Sequence, residues 1–275
     1  MKIRNRWIYN KWIADKYVKF VAAIATAFSI VIIYVPKDHQ MDALWCGLGI
    51  LFIIYIAVVI WANHKKQVAI KIGETKVLIK QGDLFTETGK KIIPANEYFD
   101  VDTDHGVIDP NSLHGQYLRS HIKISRESLY QDIVNALKGK NPSVVDQKRE
   151  YGKQIRYRLG TIYDDHNDFF LLAYSRFDSD NRAYLRNEDI ADCYLNMWNE
   201  IDIHRGSNSI VLPVLGASGI VRFRKTYTPQ QLIELIMWSF RISGIRLNKT
   251  ATLTIVVHES FVNEIDFLKF SYYSD

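Results

Sequence analysis

The sequence predicts a two-helix transmembrane hairpin followed by a cytosolic α/β domain, and three observations support this fold class. Two apolar stretches without a charged residue, 20–36 and 43–63, lie close together near the N-terminus. Basic residues surround them, because residues 1–80 hold 12 Lys/Arg against 4 Asp/Glu, whereas residues 81–275 hold 23 against 26. From Val68 onwards, short β-type runs alternate with segments of helical periodicity, as in α/β domains.

The two apolar stretches have the length of membrane spans. About 20 apolar residues cross a hydrocarbon core of ~30 Å. We expect the first helix at about 17–36, because the long side chain of Lys19 can reach the membrane surface, and the second at about 43–63. Two buried core helices are the alternative, and the basic residues that flank both stretches count against it. The predicted organisation is therefore a basic segment with two transmembrane helices, 1–65, and a cytosolic domain, 66–275.

The flanking charges predict the orientation. Basic residues precede the first span and follow the second, whereas the connecting loop has Lys37 against Asp38 and Asp42. Both ends should therefore lie in the cytoplasm. A cleaved signal peptide is not expected, since a second span follows so soon. Small residues such as Gly47 and Gly49 would let helices approach closely, within the hairpin or between copies.

Composition excludes several functional classes. The part after residue 80 is mildly acidic, whereas nucleic-acid binding requires clustered cations. We expect no nucleic-acid partner. Cys46 and Cys193 stand far apart in unlike surroundings, so no structural disulfide is predicted. The histidines form no zinc-type motif, and we predict no metal site.

Periodicity and turn signals place the elements of the cytosolic domain. Thr228, Pro229 and Gln231 form the start signal of a helix that Gly244 can end. The polar segment Lys138–Lys153 should be an exposed loop, and Trp198 and Trp238 should be core residues of helices. The predicted helices are Ser128–Leu137, Glu188–His204 and Pro229–Ser243. The predicted strands are Val68–Ile72, Lys76–Lys80, Lys91–Pro94, Leu159–Ile162, Phe169–Tyr174, Ser209–Val214 and Thr252–Val257.

Two glycine-containing turns follow predicted strands. One holds Gly82 and Asp83, and the other runs from Leu215 to Ile220 with Gly216 and Gly219. A strand that enters a glycine-rich turn before a helix offers backbone N–H groups to an anion. Each turn taken alone could equally be an ordinary turn.

The order of three motifs resembles that of a macro domain, over about Val68 to Lys269. The motifs are KVLIKQGDLF, KKIIPANEYF and SIVLPVLGASGI. The resemblance implies a mixed sheet sandwiched between helices that binds ADP-ribose. It implies that Asp83, followed by Leu84, accepts from the adenine amino group, that Asn96 reaches the distal ribose, and that 215–220 form a phosphate loop.

A closer resemblance is to the divergent macro domain of Thoeris anti-phage effectors. It rests on IPANEYFDVDTDHGVIDPNSLHGQYL, LLAYSRFDSDNRAYL, LNMWNEID and WSFRISGI. One branch of that system places the domain behind paired transmembrane helices. The resemblance implies a bacterial inner-membrane protein with two passes and no cofactor. Its ligand would be an ADP-ribose-type signal made from NAD by a TIR-domain partner, and the signal would trigger homo-oligomerisation and membrane disruption.

The chain departs from common macro domains at both phosphate loops. His114-Gly115-Gln116 replaces the usual run of glycines, and Val221-Arg222-Phe223 follows the second loop. Arg222 could pair with pyrophosphate or be a surface cation. These departures disfavour hydrolysis and allow a bulkier ligand, such as a histidine conjugate of ADP-ribose. Phe261, just past the last predicted strand, could stack on adenine or be an ordinary packing residue. The candidate ligand-binding residues are Asp83, Leu84, Asn96, His114, Gly115, Gln116, Leu215, Gly216, Ala217, Ser218, Gly219, Ile220, Arg222 and Phe261; no catalytic residue is assigned.

Two other functions stay open from the sequence. A membrane-anchored ADP-ribosyl hydrolase would need a water near the distal ribose, with Asn96 and Asp100 beside it. A constitutive ADP-ribose reader would bind ligand without a change of state. The alternating Asp100, Asp102 and Asp104 resemble a calcium loop, but Asn111 stands where the bidentate glutamate should be. We therefore predict a solvated acidic loop there.

Overall fold

In this computed structural model the chain forms two units, described over residues 11–103, 105–140, 142–145, 149, 151–178, 180–223 and 227–274. One unit comprises Met1–Val68 with Phe267–Tyr272, and the other comprises Ala69–Asp266 with Tyr273–Asp275. Asp104 of the acidic loop lies outside the described residues.

The first unit is a helical hairpin of α1 (Lys11–Val31) and α2 (Gln40–His64). α1 begins and ends earlier than predicted and is followed by a 3₁₀ turn at Ile32–Tyr34, whereas α2 extends past both predicted ends. Both helices are long and apolar enough to cross a membrane.

Side chains of α1 and α2 contact each other along the hairpin. The hydroxyl of Tyr17 donates to the carbonyl of Leu51 at 2.5 Å. The ring of Phe28 lies against Gly47, at 3.4 Å from the position that a Cβ would take, so the expected close approach occurs within the hairpin. Gly49 faces open space.

The second unit is a mixed sheet whose strands lie in the order β1-β2-β11-β9-β3-β7-β8-β10, with β6 also paired to β7. β2, β11, β9, β3 and β7 run parallel, and β6 and β8 run antiparallel to β7. A separate two-stranded sheet pairs β4 with β5. The strands are β1 (Gln67–Ile72), β2 (Thr75–Gln81), β3 (Lys90–Asn96), β4 (Pro142–Val145), β5 (Ile155–Tyr157), β6 (Ile162–Asp164), β7 (Phe169–Phe177), β8 (Ala183–Leu185), β9 (Ile210–Pro213), β10 (Arg222–Phe223) and β11 (Thr252–Val257).

Helices cover both faces of this sheet, which confirms the predicted fold class. They are α3 (Leu113–Ser120), α4 (Arg126–Ala136), α5 (Asn187–His204), α6 (Pro229–Ser243) and the short α7 (Glu259–Val262). Leu118 of α3 and Ile133 of α4 pack against the strand face that carries Ile93 and Leu171. Alternation along the strands turns residues such as Phe170 to the opposite face, where they are also buried.

α6 starts and ends where its capping residues predicted. Thr228 and Gln231 form a reciprocal capping box, Pro229 occupies the first turn, and Gly244 ends the helix in a left-handed conformation. The indole N–H of Trp198 on α5 donates to the Ser239 hydroxyl of α6 at 2.9 Å. Trp198 is therefore the core residue that was expected.

Several sequence predictions about this unit are wrong. No strand covers Leu159–Ile162, because Gly160 forms a turn with φ 85° and the strand begins only at Ile162. Lys138–Lys153 is not simply an exposed loop, since it contains β4 and the buried side chain of Arg149. Trp238 is 50% exposed on the outer side of α6.

Candidate functional site

A cavity of about 700 Å³ lies at the carboxyl ends of the parallel strands of the second unit. Its walls follow β2, β11, β9, β3 and β7, which are neighbours in that order. Loops from adjacent parallel strands converge at this edge of an α/β sheet, where such folds bind ligands.

Most residues that the sequence assigned to a ligand site lie in the wall of this one cavity. Gly115 and Ala217 do not line it, and Gly115 instead packs against the backbone of Asp109 and Pro110, where a Cβ would not fit. The assigned residues in the wall are Asp83, Leu84, Asn96, His114, Gln116, Leu215, Gly216, Ser218, Gly219, Ile220, Arg222 and Phe261.

Asp83 and Phe261 come from neighbouring strand ends at one side of the cavity. Asp83 caps a 3₁₀ turn at Leu84–Thr86, and its Oδ1 accepts from the N–H of Phe85 at 3.0 Å. The residue is exposed, so its carboxylate keeps lone pairs open to the cavity. Phe261 lies on α7, directly after β11.

The glycine-rich loop after β9 presents unused backbone donors. The amides of Gly216, Ser218 and Gly219 have no acceptor among the described residues, whereas the amide of Ala217 donates to the carbonyl of Val214 at 3.1 Å. Gly216 has a φ of 82°, and a Cβ there would lie 2.5 Å from the ring of Phe223. Unpaired amides on such a loop form an anion-binding concavity.

Asn96 ends β3 and is 3% exposed. Its Oδ1 accepts from the amides of Tyr98 at 3.0 Å and Asp100 at 3.3 Å, and its Nδ2 donates to Oδ2 of Asp100 at 3.0 Å. The side chain is thereby fixed in one orientation. One hydrogen of Nδ2 stays without an acceptor among the described residues.

Asp100 is buried, which corrects the prediction of a solvated acidic loop. Its side chain is 0% exposed and forms an ion pair with Arg149 at 2.7 Å. Its Oδ1 also accepts from the amide of Lys153 at 2.6 Å. A charged carboxylate can be buried here because these donors replace its hydration.

His114 lies in the first turn of α3, where the sequence predicted a loop. The helix forms because the Ser112 hydroxyl caps it, accepting from the amide of Gly115 at 2.9 Å. Burial, with a smaller contribution from the charge of Lys153, lowers the pKa of His114 to about 3. Its imidazole is therefore neutral near pH 7, and its Nε2 has no partner among the described residues.

The chain resembles one group of proteins along nearly its whole length. A family model described as Thoeris protein ThsA, Macro domain, matches residues 77–258. The Thoeris protein ThsA of Bacillus amyloliquefaciens (strain Y2) is 32% identical over 276 residues, which cover 96% of this chain and 92% of that protein. The chain belongs to the Thoeris ThsA family. The match to the curated protein is too long to omit either apolar helix.

Solved macrodomain structures are also similar to the chain. The macrodomain of Oceanobacillus iheyensis with ADP has a TM-score of 0.48 and 13% identity, over 75% of this chain and 95% of that one. The same macrodomain with MES bound has a TM-score of 0.48 and 12% identity, over 75% of this chain and 96% of that one. The ThsA macro-domain match itself stops at 258, before Phe261.

Sequence reasoning missed part of the ThsA cavity wall. Phe177 ends β7, Asn181 and Arg182 follow it, and all three line the side next to Asn96. The segment belongs to LLAYSRFDSDNRAYL, which carried the family resemblance, but no site role was assigned to it, because its place in the wall follows from the pairing of β7 with β3. Arg222 lies on β10 and forms an ion pair with Asp178 at 2.5 Å, so both readings of its role stay open.

Proposed function

We propose that this ThsA protein is an anti-phage effector whose cavity binds an ADP-ribose derivative and whose apolar helices then disrupt the bacterial inner membrane. The observation that carries the proposal is the row of unpaired loop amides midway along an elongated cavity. Membership of the ThsA macro-domain family supports it.

The shape of the cavity suits a long ligand with a charged centre. Strands from β2 to β7 span four spacings of about 4.8 Å, or roughly 19 Å. The loop that carries Gly216 and Gly219 follows β9, between the two ends. A diphosphate between two polar nucleoside-like ends fits this order of groups.

We assign the two ends from the side chains present there. Asp83 can accept from the adenine amino group, and Phe261 can stack on the base. Asn96 at the opposite end can donate its remaining Nδ2 hydrogen to a hydroxyl of the distal ribose. The neutral His114 would hydrogen-bond an uncharged polar group rather than neutralise a phosphate.

The variable group of the ligand should lie beyond the distal ribose. An amino-acid conjugate such as histidine-ADP-ribose is our leading candidate, and a TIR-domain partner would make it from NAD. The two proteins would communicate through this small molecule and need no direct contact.

The proposed membrane action requires a difference between two states. Residues 1–65 would hold the two spans, with both termini in the cytoplasm, and residues 66–275 would sense the signal. Ligand must bind an assembled state more tightly than the resting state to drive homo-oligomerisation.

Binding without hydrolysis is the reading we favour. The oxygens of Asp100, the carboxylate nearest Asn96, accept from Arg149, Lys153 and Asn96. Each of the two oxygens accepts two hydrogen bonds, so this carboxylate has no lone pair left to take a proton from an attacking water. Release of ADP-ribose from a modified protein would favour the hydrolase reading instead.

Calorimetry on the full chain in detergent micelles tests the sensor. ADP-ribose and its histidine conjugate should bind, and NAD should bind less tightly. Asp83→Ala should weaken both by about tenfold or more, as expected for a lost hydrogen bond to a charged group. If calorimetry showed no binding of either ADP-ribose or its histidine conjugate, the proposal would be overturned.

Dye-filled vesicles test the membrane step. Vesicles that contain the full chain should release dye when the binding ligand is added, and those with Asp83→Ala should need more ligand. Binding without release, and without a change in oligomeric state, would support the constitutive reader.

A further inference from the structure

We propose that Arg149 is a positioning residue, which fixes the Asn96 end of the cavity so that the distal part of the ligand can bind. The inference rests on the proposed function, because it concerns the same cavity. Arg149 itself does not line the cavity, and no sequence motif marks it. It lies in the segment between β4 and β5 that the sequence predicted to be an exposed loop.

Arg149 is buried and its donors are used on both sides of one cavity end. Its side chain is 6% exposed, and its two terminal nitrogens donate to the two oxygens of Asp100 at 3.0 and 2.7 Å. Its Nε donates to Oδ1 of Asn181 at 2.9 Å. One planar group therefore joins the turn after β3 to the segment after β7.

The link to Asn96 runs through Asp100. Oδ2 of Asp100 accepts from both Arg149 and Nδ2 of Asn96, so the arginine holds the carboxylate that orients the amide. The turn itself is strained, because Phe99 has a φ of 51°. A strained turn keeps its conformation only where surrounding contacts fix it.

Aromatic rings and a glycine hold the guanidinium in place. Its central carbon lies 4.1 Å from the ring centre of Tyr98 and 5.5 Å from that of Phe177. A Cβ on Gly152, whose φ is 89°, would lie 2.6 Å from Oδ1 of Asp100 and 2.7 Å from Nη1 of Arg149. Phe177 and Asn181 both line the cavity, so Arg149 contacts that wall directly.

Two ligands of different length separate positioning from general stability. ADP would reach from the Asp83 end to the glycine-rich loop, whereas ADP-ribose would also reach Asn96. Arg149→Gln in the full chain should lower the affinity for ADP-ribose by about tenfold and change the affinity for ADP by less than about twofold. Both affinities are measured by calorimetry in detergent micelles. Arg149→Lys should recover little, because an ammonium cannot make the bidentate pair and the third bond to Asn181.

A double-mutant cycle gives a second readout. If Arg149 acts through Asn96, Arg149→Gln should lower the affinity for ADP-ribose in the parent chain. The same substitution should leave that affinity almost unchanged in a chain that already carries Asn96→Ala. Additive losses would overturn the proposal. Equal weakening of ADP and ADP-ribose would also overturn it, since that is the result of a purely structural role.

Arg205 supplies the matched control. It is also a buried arginine, paired with Asp202 at 2.8 Å, but it lies between α5 and β9, at the opposite edge of the sheet from the cavity. Arg205→Gln should lower the melting temperature without changing the ratio of ADP-ribose to ADP affinity. If the parent chain binds neither ligand, the proposed function fails; if it prefers ADP-ribose and Arg149→Gln keeps that preference, only this inference fails.

Discussion

Burial decides what the polar residues of this cavity can do. His114 loses its charge because no partner compensates its desolvation, whereas Asp100 sits beside the guanidinium of Arg149 and accepts from further donors. Burial therefore leaves His114 as a neutral hydrogen-bonding group in the cavity wall. It leaves Asp100 and Arg149 as a buried ion pair behind the wall. Neither outcome can be predicted from the residue type.

The buried His114 should make the protein sensitive to acid. Its pKa is lowered from 6.5 to about 3, so the unfolded chain takes up a proton below pH 6.5 that the folded chain does not. Stability is complete above pH 6.5 and falls as pH falls through the range between these values. From pH 8 to pH 5 we expect a loss of about 2 kcal/mol in the free energy of unfolding.

Melting curves of the full chain at pH 8, 6.5 and 5 measure this effect. His114→Gln should reduce the drop in melting temperature on acidification, and His166→Gln, at an exposed histidine, should not. An equal drop in the parent chain and in His114→Gln would mean that His114 is protonated in the folded state.

The backbone of Gly216 should be essential for binding. In Gly216→Ala the new Cβ would meet Phe223 and the hydroxyl of Tyr174, and a positive φ would add about 1 kcal/mol of strain. The loop must then move, and we expect ADP-ribose affinity to fall by about tenfold or more. Gly206→Ala, with a φ of 56° and open space, shares the strain without touching the cavity, so calorimetry should show unchanged affinity.

At the scale of elements, local signals predicted the structure well and pairings between distant segments were missed. α6 and β11 were placed correctly, because a capping box and a run of branched apolar residues are local features. α3 was missed, since it is short and polar and is fixed by the Ser112 cap. The ion pair of Asp100 and Arg149 joins residues 49 positions apart, and the local sequence around either residue does not predict it.

The same contrast holds for the cavity. Asp83, Asn96 and Gly216 stand in motifs that can be read along the chain. Asn181 and Phe177 reach the wall only because β7 pairs with β3 in parallel, and the order of strands is a property of the whole sheet.

Two serine caps of the same geometry separate helix stability from ligand binding. Ser112 caps α3 at the cavity, and Ser125 caps α4 away from it, accepting from the amide of Ser128 at 3.1 Å. Each change to alanine should cost about 1 kcal/mol of stability. Only Ser112→Ala should also lower the affinity for ADP-ribose measured by calorimetry, because it loosens the turn that carries His114. Equal affinities for ADP-ribose in the two variants would contradict this.

At the scale of the whole molecule, the charge distribution bears on topology. The basic flanks of α1 and α2 predict that both ends of the chain face the cytoplasm and that the loop around Asp38 faces outwards. That orientation would place the cavity where a product of NAD could reach it.

Cysteine labelling in intact cells tests the topology. In a chain with Cys46 and Cys193 replaced by alanine, a cysteine at Asp38 should react with a membrane-impermeant maleimide from outside. A cysteine at Gly73 should react only after the cells are permeabilised. Labelling of Gly73→Cys in intact cells would reverse the proposed orientation.

The segment Phe267–Tyr272 belongs to the helical unit, where Leu268 packs on Ala62, and the chain then returns to the sheet unit at Tyr273. The backbone therefore passes between the units three times. A protease that cuts once between α2 and β1 would break the covalent connection of both apolar helices to the rest of the chain, and the packing of Leu268 on Ala62 would remain as a non-covalent contact. A fragment that simply begins after α2 would carry Leu268 without its apolar partner, and aggregation of such a fragment would reflect that exposed segment rather than a failure of the domain to fold.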